Sequence, residues 1–594
     1  MHRFILAMLL MMTFFAAENS RADSPCPPQL SAPSGEEPST ICGTPATLVT
    51  GYFVDPVNGS DSNNGTNPQN AWKSLSKVAQ SFGREDRGID VWLRSGTVFE
   101  DQTLYIDWSG TQSDKAIVGC YFLRNNEPYR CNRSHPKPEV NGTFDESCRL
   151  SHRNGTPCYP FAGTGSTVSG AVPYEIYSAL IQVVSSNSLD QGIQHVTVEN
   201  LALKDSAGVG IHTGNWSRNI TVRGMEIGYV GNIGIQSGYG SMNVAIQDNT
   251  VHHTIFCSSW YHAASHNQDL IPDNCVRDYA AAITIAQNHS ENSSGTWTIV
   301  ENNDVYHSHG EGIGCNFSSR PLIRGNRIRD TRKNAIYIAA CPRARVESNI
   351  IWSSAEVDAD FGDYDVPAAI AVHVETDLPG YRDTTQNVIR NNVIAAAGKC
   401  FEQSAWWLNG KLDVPIGAKW VNNTCVQPTE MGARMHPSSA ADDATYNLEL
   451  IFENNIVYAP GVTVCNSVTN VASKSYRNNF WNAIPSDRDC QDDPSTDIVG
   501  KPNLARDADS WGKSNWTVDK GPSFSDAVLI SGAGLGAGKS QQTEILDFTE
   551  YSEWGSLSYP FVPSGAEWNK TAAYDSSGNL RSQSNPNIGA DETN

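Results

Sequence analysis

A repeat of about 23 residues constrains the fold of this chain more than any other feature. Residues 297–352 contain three β-rich runs, and each run ends at an Asn that stands two residues before an apolar residue. These are Asn303, Asn326 and Asn349, in steps of 23 residues. A unit repeated at a fixed period predicts that successive units stack on one another. The same phase continues at Leu201, Met225, Asn249, Asn392, Asn423, Asn455 and Asn479.

The length and patterning of the unit predict an all-β fold, the parallel β-helix. The unit lacks a helical apolar pattern and the Leu spacing of leucine-rich repeats, and its strands are short and alternating. Three strands and three bends fill one turn, and adjacent turns would lie about 4.8 Å apart. Asn at one phase of stacked turns would form a ladder of amide hydrogen bonds, so we expect these Asn residues to be structural.

The start of the chain and its cysteines predict export. Residues 1–22 have the pattern of a secretory signal, with a basic start and an apolar run at 4–17 that is too short to span a bilayer. All 14 Cys follow the expected cut, which favours disulfides in a secreted or periplasmic protein, with buried free thiols as the alternative. Their order suggests pairing Cys26 with Cys42, Cys120 with Cys131, Cys148 with Cys158, Cys257 with Cys275, Cys315 with Cys341, Cys400 with Cys425 and Cys465 with Cys490. The last three pairs are separated by about one turn and would staple consecutive turns together.

The formal charge of −22 and the sequence pI near 5.0 argue against a nucleic-acid partner. They leave room for a local basic groove that binds an acidic glycan. The sequence contains no Walker loop, Rossmann fingerprint, HExxH or EF-hand motif.

Residues 51–82 predict a cap on the β-helix. A strand at the start is followed by turn residues and then by a short amphipathic helix at 74–82, with Leu75 and Val78 on one face and Phe82 a turn further on. The end of a β-helix is a row of unpaired strand groups, so a cap is physically required.

Motifs near both ends, among them YFVD (52–55), WKSL (72–75), LRSGT (93–97) and IGADE (588–592), resemble those of secreted right-handed parallel β-helix proteins of the pectate-lyase-like superfamily. The resemblance spans about residues 51–594 and implies a right-handed β-helix and a polysaccharide-cleaving activity, of lyase or glycoside hydrolase type. These motifs belong to caps and turns, so they do not distinguish a lyase from a glycoside hydrolase. They are YFVD (52–55), GSD (59–61), GT (65–66), Pro68, WKSL (72–75), LRSGT (93–97), GCY (119–121), PEVNG (138–142), Asp575, Gly578, Arg581 and IGADE (588–592).

The predicted organisation follows from these patterns. Length in excess of one turn must leave the β-helix as loops, which tend to fall on the binding face. Aromatic pairs in such excursions, with Trp260, Trp406 and Trp407, suit stacking on sugar rings; packing on the barrel is the alternative. The segments are a signal peptide (1–22), an irregular Cys/Pro-rich segment (23–50), the N-terminal cap and first strands (51–105), the parallel β-helix (106–490) and a C-terminal capping region (491–594).

Strands that follow the ladder positions predict a polar stripe on a rigid sheet, which is a suitable place to hold reacting groups. Aligned by apolar phase, they point Ile211, Ile235, Ile283, Ile313, Ile336 and Ile370 inward. The residues expected outward are His212, Gln236, Thr284, Tyr337 and Ala371, with His373 and Glu375 further along the last strand.

The densest group of candidate catalytic residues occupies two consecutive turns. Offsets of 23 residues place Asp330 over His307, Arg332 over His309 and Asn334 over Glu311, with Lys333 and Tyr337 nearby. Gly310 and Gly312 clear space around Glu311, as a close approach by backbone or ligand needs. The alternative is that these charges are solvated bend residues and that His307 only bonds Asp330.

Two enzyme mechanisms compete for this group. A lyase acting on a uronic acid polymer needs a base, for which Lys333, His309 and His373 are candidates. It also needs a cation such as Arg332 to stabilise the developing anion, and Tyr337 as the acid. Carboxylates in an acidic loop predict a Ca²⁺ site, with a solvated loop as the alternative. They are Asp358, Asp360 and Asp363.

A glycoside hydrolase instead needs two carboxyl groups, roughly 5–9.5 Å apart. Glu311 with Asp330 or Glu375 would supply them, and His307, Asp330 and Glu375 are also candidate substrate contacts. A third hypothesis is a non-catalytic glycan-binding or adhesin scaffold, but few, irregular turns with long excursions suit a built site better. We therefore predict a monomeric, secreted polysaccharide lyase with a polysaccharide partner and no further membrane span.

Overall fold

The chain folds as a right-handed parallel β-helix in which each full turn contributes one strand to each of three long sheets. The computed structural model describes residues 47–142, 179–186, 188, 190–206, 208–255, 280–286, 298–356, 366–374, 384–405, 416–435, 446–467, 471–485, 490, 495–523, 525–527 and 529–531. Strands within each sheet pair in parallel with the equivalent strand one turn on, as the repeat predicts.

The parallel strands of the first sheet from Gln194–Glu199 onward end just before the bend that leads to each ladder position. One short strand, Glu127–Arg130, pairs with the sheet in antiparallel orientation. Its parallel strands are Tyr52–Val54, Val91–Arg94, Ala116–Arg124, Gln194–Glu199, Arg218–Arg223, Met242–Gln247, Thr298–Glu301, Pro321–Arg324, Arg345–Glu347, Thr384–Arg390, Ile416–Val421, Tyr446–Glu453 and Val471–Arg477.

The second sheet begins just after each ladder position. Its strands are Val98–Glu100, Glu139–Asn141, Ala202–Ser206, Glu226–Val230, Thr250–Thr254, Asp304–Ser308, Arg327–Thr331, Ile350–Trp352, Val393–Ala395, Thr424–Val426, Ile456–Tyr458, Phe480–Trp481 and Ile498–Val499.

The third sheet contains the strands that the sequence aligned as a polar stripe. Its strands are Leu104–Ile106, Ala179–Val183, Val209–His212, Ile235–Gln236, Ala281–Ala286, Glu311–Asn316, Ile336–Ala339, Ala368–Val374, Lys399–Ala405, Met431–Met435 and Thr463–Ser467.

The predicted Asn ladder is present and buried. The side chain of Asn303 donates to Asn326 Oδ1 at 3.0 Å, and Asn326 donates to Asn349 Oδ1 at 3.0 Å. The same contact joins each consecutive pair from Asn249 to Asn479. Each amide also satisfies backbone groups of its own or the neighbouring turn, so the ladder fixes one bend of every turn.

The residue before each ladder position adopts a left-handed backbone, which explains the Asn-Asn pairs in the sequence. Asn302, Asn391 and Asn422 have φ of 55°, 55° and 56°. Asn and Gly tolerate this conformation better than other residues. One Asn of each pair therefore makes the bend, and the next joins the ladder.

The core confirms the inward phase predicted for the third sheet. The six Ile residues aligned there are fully buried in one continuous cluster. Four of the predicted disulfides are formed: Cys120–Cys131, Cys315–Cys341, Cys400–Cys425 and Cys465–Cys490. The other three predicted pairs, and the predicted signal peptide, lie outside the described residues.

The helix Leu75–Ser81 caps the first turns, as predicted. Ser74 caps it by accepting a hydrogen bond from the Lys77 backbone N–H, and Leu75 and Val78 are fully buried in the main core. Short 3-10 helices are present at Pro68–Asn70, Ala508–Ser510, Lys513–Asn515 and Ser525–Ala527.

The described part of the C-terminal region, within residues 495–531, packs on the outer face of the second sheet. Trp511 and Trp516 are buried in one cluster with Trp352, and Trp352 donates from Nε1 to the Thr517 carbonyl at 3.1 Å. The strands Asn503–Leu504 and Leu529–Ser531 pair in antiparallel orientation there. None of the helices within the described ranges is long and apolar enough to cross a bilayer.

Candidate active site

The outer face of the third sheet collects the polar side chains that point away from the core. Strand register places Gln236, Thr284, Gly314 and Tyr337 in one row. Ala371, Glu402 and Arg434 continue the same row.

Extra chain length enters beside this face. Short connections follow the strands Glu311–Asn316 and Ile336–Ala339. Eight or more residues separate the ends of Ala281–Ala286, Ala368–Val374 and Lys399–Ala405 from the next described strand. Long segments also separate the second-sheet strands Glu139–Asn141, Thr250–Thr254 and Ile350–Trp352 from the third-sheet strands that follow them, so predicted excursions adjoin both ends of third-sheet strands.

Five side chains on this face form what we call the third-sheet cluster: Tyr337, His373, Lys399, Glu402 and Arg434. The rings of Tyr337 and His373 meet edge to face, with centroids 5.1 Å apart. The Glu402 carboxylate lies 4.0 Å from His373 Nε2, 3.3 Å from Lys399 Nζ and 3.4 Å from Arg434 Nη1. An aromatic hydroxyl, an imidazole, a carboxylate and two cations thus meet on four consecutive strands.

The centre of the cluster is withdrawn from water, and its two cations are more accessible. Tyr337, His373 and Glu402 are each only 4–5% exposed, whereas the side chains of Lys399 and Arg434 are 18% and 32% exposed. Burial, reinforced by the charges of Lys399 and Arg434, lowers the pKa of His373 to about 3. His373 is therefore a neutral imidazole across the physiological range and can accept a proton.

Glu311 lies next to this cluster. Its Oε2 is 3.6 Å from the point where a Cβ on Gly314 would stand, and Gly314 pairs in register with Tyr337. Glu311 is 4% exposed. The carboxylate therefore borders the cluster on its Tyr337 side.

The glycines around Glu311 serve the backbone of neighbouring turns. A Cβ on Gly310 would lie 2.0 Å from the Ala280 carbonyl oxygen, and one on Gly312 would lie 2.6 Å from the Ala335 carbonyl oxygen. The sequence left two explanations for these glycines, a close approach by backbone or by ligand. The structure supports a close approach by backbone.

His307 and Asp330 lie near the ends of second-sheet strands, not on the outer face of the third sheet. Register puts them in adjacent turns as predicted, and both have a left-handed backbone, with φ of 51°. His307 Nε2 is 4.0 Å from Asp330 Oδ2. The Asp330 carboxylate accepts from the Ser354 N–H at 2.7 Å and from its hydroxyl at 2.8 Å. Asp330 therefore ties two turns together.

His309, Arg332 and Lys333 lie between those strand ends and the third sheet. His309 is 3% exposed, whereas Arg332 and Lys333 are half-buried. Their backbone N–H groups donate to the preceding turn: His309 to Thr254, Arg332 to Ser308 and Lys333 to Gly310. The catalytic roles predicted for these residues stay predictions.

Several predicted site residues lie outside the described residues: Glu375, Trp260, Trp406, Trp407, Asp358, Asp360 and Asp363. In the part of the chain that the structure describes, no group of three or more His, Cys, Asp or Glu side chains is placed to hold a metal ion. The predicted Ca²⁺ loop belongs to the residues not described.

Sequence reasoning missed Lys399, Glu402 and Arg434. The alignment of strands by apolar phase stopped at residue 375, although KCFEQSA and MGARM continue it. In that alignment Phe401 and Ala433 take the inward phase, and both are buried in the main core. Glu402 and Arg434 then fall in the outward row beside Ala371. The signal was present in the repeat, but long insertions hid it.

Comparisons with known proteins agree with this architecture. A family profile described as "Right handed beta helix region" matches residues 264–410. A lacto-N-biosidase from Bifidobacterium longum subsp. longum is 34% identical over 88 residues. That alignment covers 15% of this chain and 5% of the relative, so this chain matches a small part of that protein's length.

Solved structures with similar topology include enzymes of two kinds. Pectate lyase Pel9A has 11% identity and a TM-score of 0.44, over 92% of this chain and 97% of that chain. The native GH136 lacto-N-biosidase from Eubacterium ramulus has 13% identity and a TM-score of 0.37, over 75% of this chain and 67% of that chain. The three parallel sheets and the profile match together identify a right-handed β-helix region in this chain.

Proposed function

We propose that this protein is a carbohydrate-active enzyme that cleaves a uronic-acid-containing polysaccharide by β-elimination at the third-sheet cluster. The observation that carries the proposal is the contact between neutral His373 and Tyr337, beside the cations Lys399 and Arg434. An acid, a base and positive charge are the groups that this reaction needs.

The proposed steps follow from the positions of the groups. The uronate carboxylate binds at Arg434 and Lys399, which stabilise the negative charge that develops when the adjacent C–H bond breaks. His373 takes that proton, and the electron pair forms the new C=C bond as the glycosidic C–O bond breaks. Tyr337 gives its hydroxyl proton to the departing oxygen. The enclosed setting strengthens each of these interactions.

Substrate binding would prepare His373 for this role. The charges of Lys399 and Arg434 help to lower the pKa of His373 in the free protein. Burial is the largest cause of the lowered pKa, and a bound carboxylate would offset the added effect of those charges, so the pKa of His373 would rise. A base is most effective when its pKa lies near the working pH.

Hydrolysis is a second candidate because the 88-residue match is to a lacto-N-biosidase. Glu311 would then be one of the two carboxyl groups, with Glu375 as the partner that the sequence predicts. Asp330 suits the partner role less well, because its carboxylate is occupied by Ser354. Glu402 stands three strand steps from Gly314, the position that Glu311 covers. That is about 14 Å along the axis, more than the roughly 5–9.5 Å that paired carboxyl groups need.

The test is cleavage by the purified protein and by matched variants. New reducing ends are measured on a panel of acidic and neutral polysaccharides. We expect cleavage of a uronate polymer, and a loss of about 10²- to 10⁴-fold in kcat for Tyr337→Phe and for His373→Ala. Tyr306→Phe, a buried tyrosine on the second sheet, is the control and should retain activity. Full activity in Tyr337→Phe and His373→Ala, with loss in Glu311→Gln, would reject elimination at this cluster.

A further inference from the structure

A polar pocket lies on the same outer face, at the N-terminal end of the third sheet. Its cavity volume is about 560 Å³, which falls within the range of small-ligand sites. The groups that line it include Tyr105, Gln182, Ser185, His212, Asn215 and Gln236.

The pocket is built on regular strands. Tyr105, Gln182, His212 and Gln236 occupy one register position on four consecutive strands. At about 4.8 Å per strand, the row is roughly 14 Å long. Side chains held by a sheet keep their spacing, so the pocket presents a fixed line of polar groups.

Hydrogen bonds set the tautomer of His212. The Gly214 N–H donates to His212 Nδ1 at 3.1 Å, and the Gln182 side-chain nitrogen lies 2.9 Å from the same atom. Nδ1 is thus the acceptor, and Nε2 carries the proton of the neutral ring. Burial lowers the pKa of His212 to about 4, which is consistent with a neutral ring. His212 therefore acts as a fixed N–H donor.

The described lining of the pocket carries no formal charge. Arg84 lies at the edge of the pocket, where its guanidinium donates to the Ser185 carbonyl and pairs with Asp107 at 3.1 Å. The groups that face the cavity are amides, a hydroxyl, a neutral imidazole and a phenol. A carboxylate placed here would lose water without gaining a cation, at a cost in free energy. Sugar hydroxyls, in contrast, both donate and accept hydrogen bonds, as these side chains do.

Tyr105 adds an exposed aromatic surface at one end of the row. Its side chain is 48% exposed, one of the few large hydrophobic residues with this exposure among those described. An aromatic face covers the apolar C–H face of a sugar ring, while its hydroxyl stays in water. An exposed ring beside a line of neutral hydrogen-bonding groups is the arrangement that suits an uncharged sugar.

We infer that this pocket is a binding site for an uncharged saccharide. His212 and Tyr337 are related by four strand steps in the same register row. The pocket therefore lies about 19 Å from the cluster along the axis of the β-helix. The inference that the pocket binds an uncharged saccharide does not depend on the proposed function. The inference that it is a distal subsite for neutral sugars of the cleaved polymer rests on the proposed function. The substrate class that this implies is a polysaccharide with both uronate and neutral residues.

Binding is tested on the full chain carrying Tyr337→Phe, so that cleavage does not consume the probe. Neutral and uronic oligosaccharides are titrated by calorimetry. We expect neutral oligosaccharides to bind, and Tyr105→Ala and Gln236→Ala each to weaken binding about 10-fold or more. Tyr105→Phe keeps the ring and should bind normally. Tyr129→Ala, on the first sheet, is the control for a tyrosine elsewhere.

The inference is overturned if no neutral oligosaccharide binds, or if Tyr105→Ala and Gln236→Ala leave the affinity unchanged while both variants keep the parent's unfolding midpoint. Cleavage by the chain with Tyr337 intact separates the two proposals. Neutral-sugar binding that depends on Tyr105, without uronate cleavage, supports the pocket and rejects the proposed function. Cleavage of a mixed polymer with KM unaltered by Tyr105→Ala rejects the distal subsite.

Discussion

At the scale of single residues, the proposed catalytic role depends on the environment of His373. Burial alone would keep this imidazole neutral, but two cations within reach of Glu402 add to the effect. The arrangement makes the proton affinity of His373 depend on whether an anion is bound. A histidine that only filled space would need no such cations.

We therefore predict that removing one cation raises the pKa of His373. Arg434→Gln deletes a positive charge that lowers it. NMR titration of the imidazole should show His373 protonating at a higher pH than in the parent protein. Lys204→Gln, which removes a lysine paired with Glu139 and Glu226 on the second sheet, is the control. An unchanged His373 titration in Arg434→Gln would remove the electrostatic link on which the proposed base depends.

A second prediction at this scale concerns Glu347 on the first sheet. Burial alone would raise the pKa of Glu347, but Arg345, Arg390 and Arg324 outweigh it and lower the pKa to about 2. Glu347→Gln leaves Arg345 and Arg390, which are 2% and 4% exposed, without their carboxylate. We expect a loss of about 3–5 kcal/mol in the free energy of unfolding, as for other broken buried pairs.

The measurement is chemical denaturation, with Glu430→Gln as the matched control because the Glu430 side chain is 60% exposed. The pH dependence has a defined sign. A folded-state pKa below the ordinary 4.5 gives stability that is present above pH 4.5 and is lost as the pH falls towards 2. A Glu347→Gln loss below about 1 kcal/mol would mean that this pair behaves like a surface ion pair.

At the scale of elements, the Asn ladder sets the geometry of one bend in each turn. Asn326 accepts from both the backbone and the side chain of Asn303 and donates to Val300 and Asn349. Replacing it with Leu leaves buried donors of Asn303 without an acceptor. We expect Asn326→Leu to cost about 2–4 kcal/mol of unfolding free energy. Asn515→Ala, at an exposed position, should change it by less than about 0.5 kcal/mol.

Thermal and denaturant unfolding of the two variants test this point. Equal stability of Asn326→Leu and the parent would show that the ladder accompanies the fold without stabilising it.

The apolar residues Leu201 and Met225 hold the same phase in the earlier turns, where they are buried in the main core. Met225 borders the ladder, and its backbone N–H donates to Asn249 Oδ1 at 3.0 Å.

The elements were predictable from sequence because their causes are local and repeated. The period, the inward Ile phase, the ladder and the turn-spanning disulfides all follow from residues whose spacing equals one turn. The bend residues were harder to assign. Asn302 and Asp330 adopt a left-handed backbone for reasons that depend on the strands around them. From the sequence alone Asp330 was a candidate catalytic acid, whereas in the structure its carboxylate accepts a hydrogen bond from the Ser354 N–H.

At the scale of the whole molecule, our proposals place both functional sites on one face of a uniform scaffold, the third sheet. Its row of outward residues carries the neutral pocket near His212 and the charged cluster near Glu402. The net charge of −22 belongs to the molecule as a whole. An acidic polymer therefore needs local cations, which Lys399 and Arg434 supply at the cluster.

The candidate site was only partly predictable at this scale. Tyr337 and Glu311 were identified because they lie in turns of regular 23-residue spacing, and His373 because its strand aligns with theirs by apolar phase. Lys399, Glu402 and Arg434 were missed because insertions separate their strands in sequence, although register brings them together in space. A site assembled across several turns depends on the sum of loop lengths, which periodicity does not encode.

The most direct test of the central claim is the chemistry of the product. Purified protein is incubated with a uronate polymer, and ultraviolet absorbance of an unsaturated uronate is followed together with new reducing ends. Elimination by Tyr337 and His373 predicts that both signals rise in proportion and that both are lost in His373→Ala. Reducing ends without absorbance would contradict elimination and would assign cleavage to hydrolysis with Glu311.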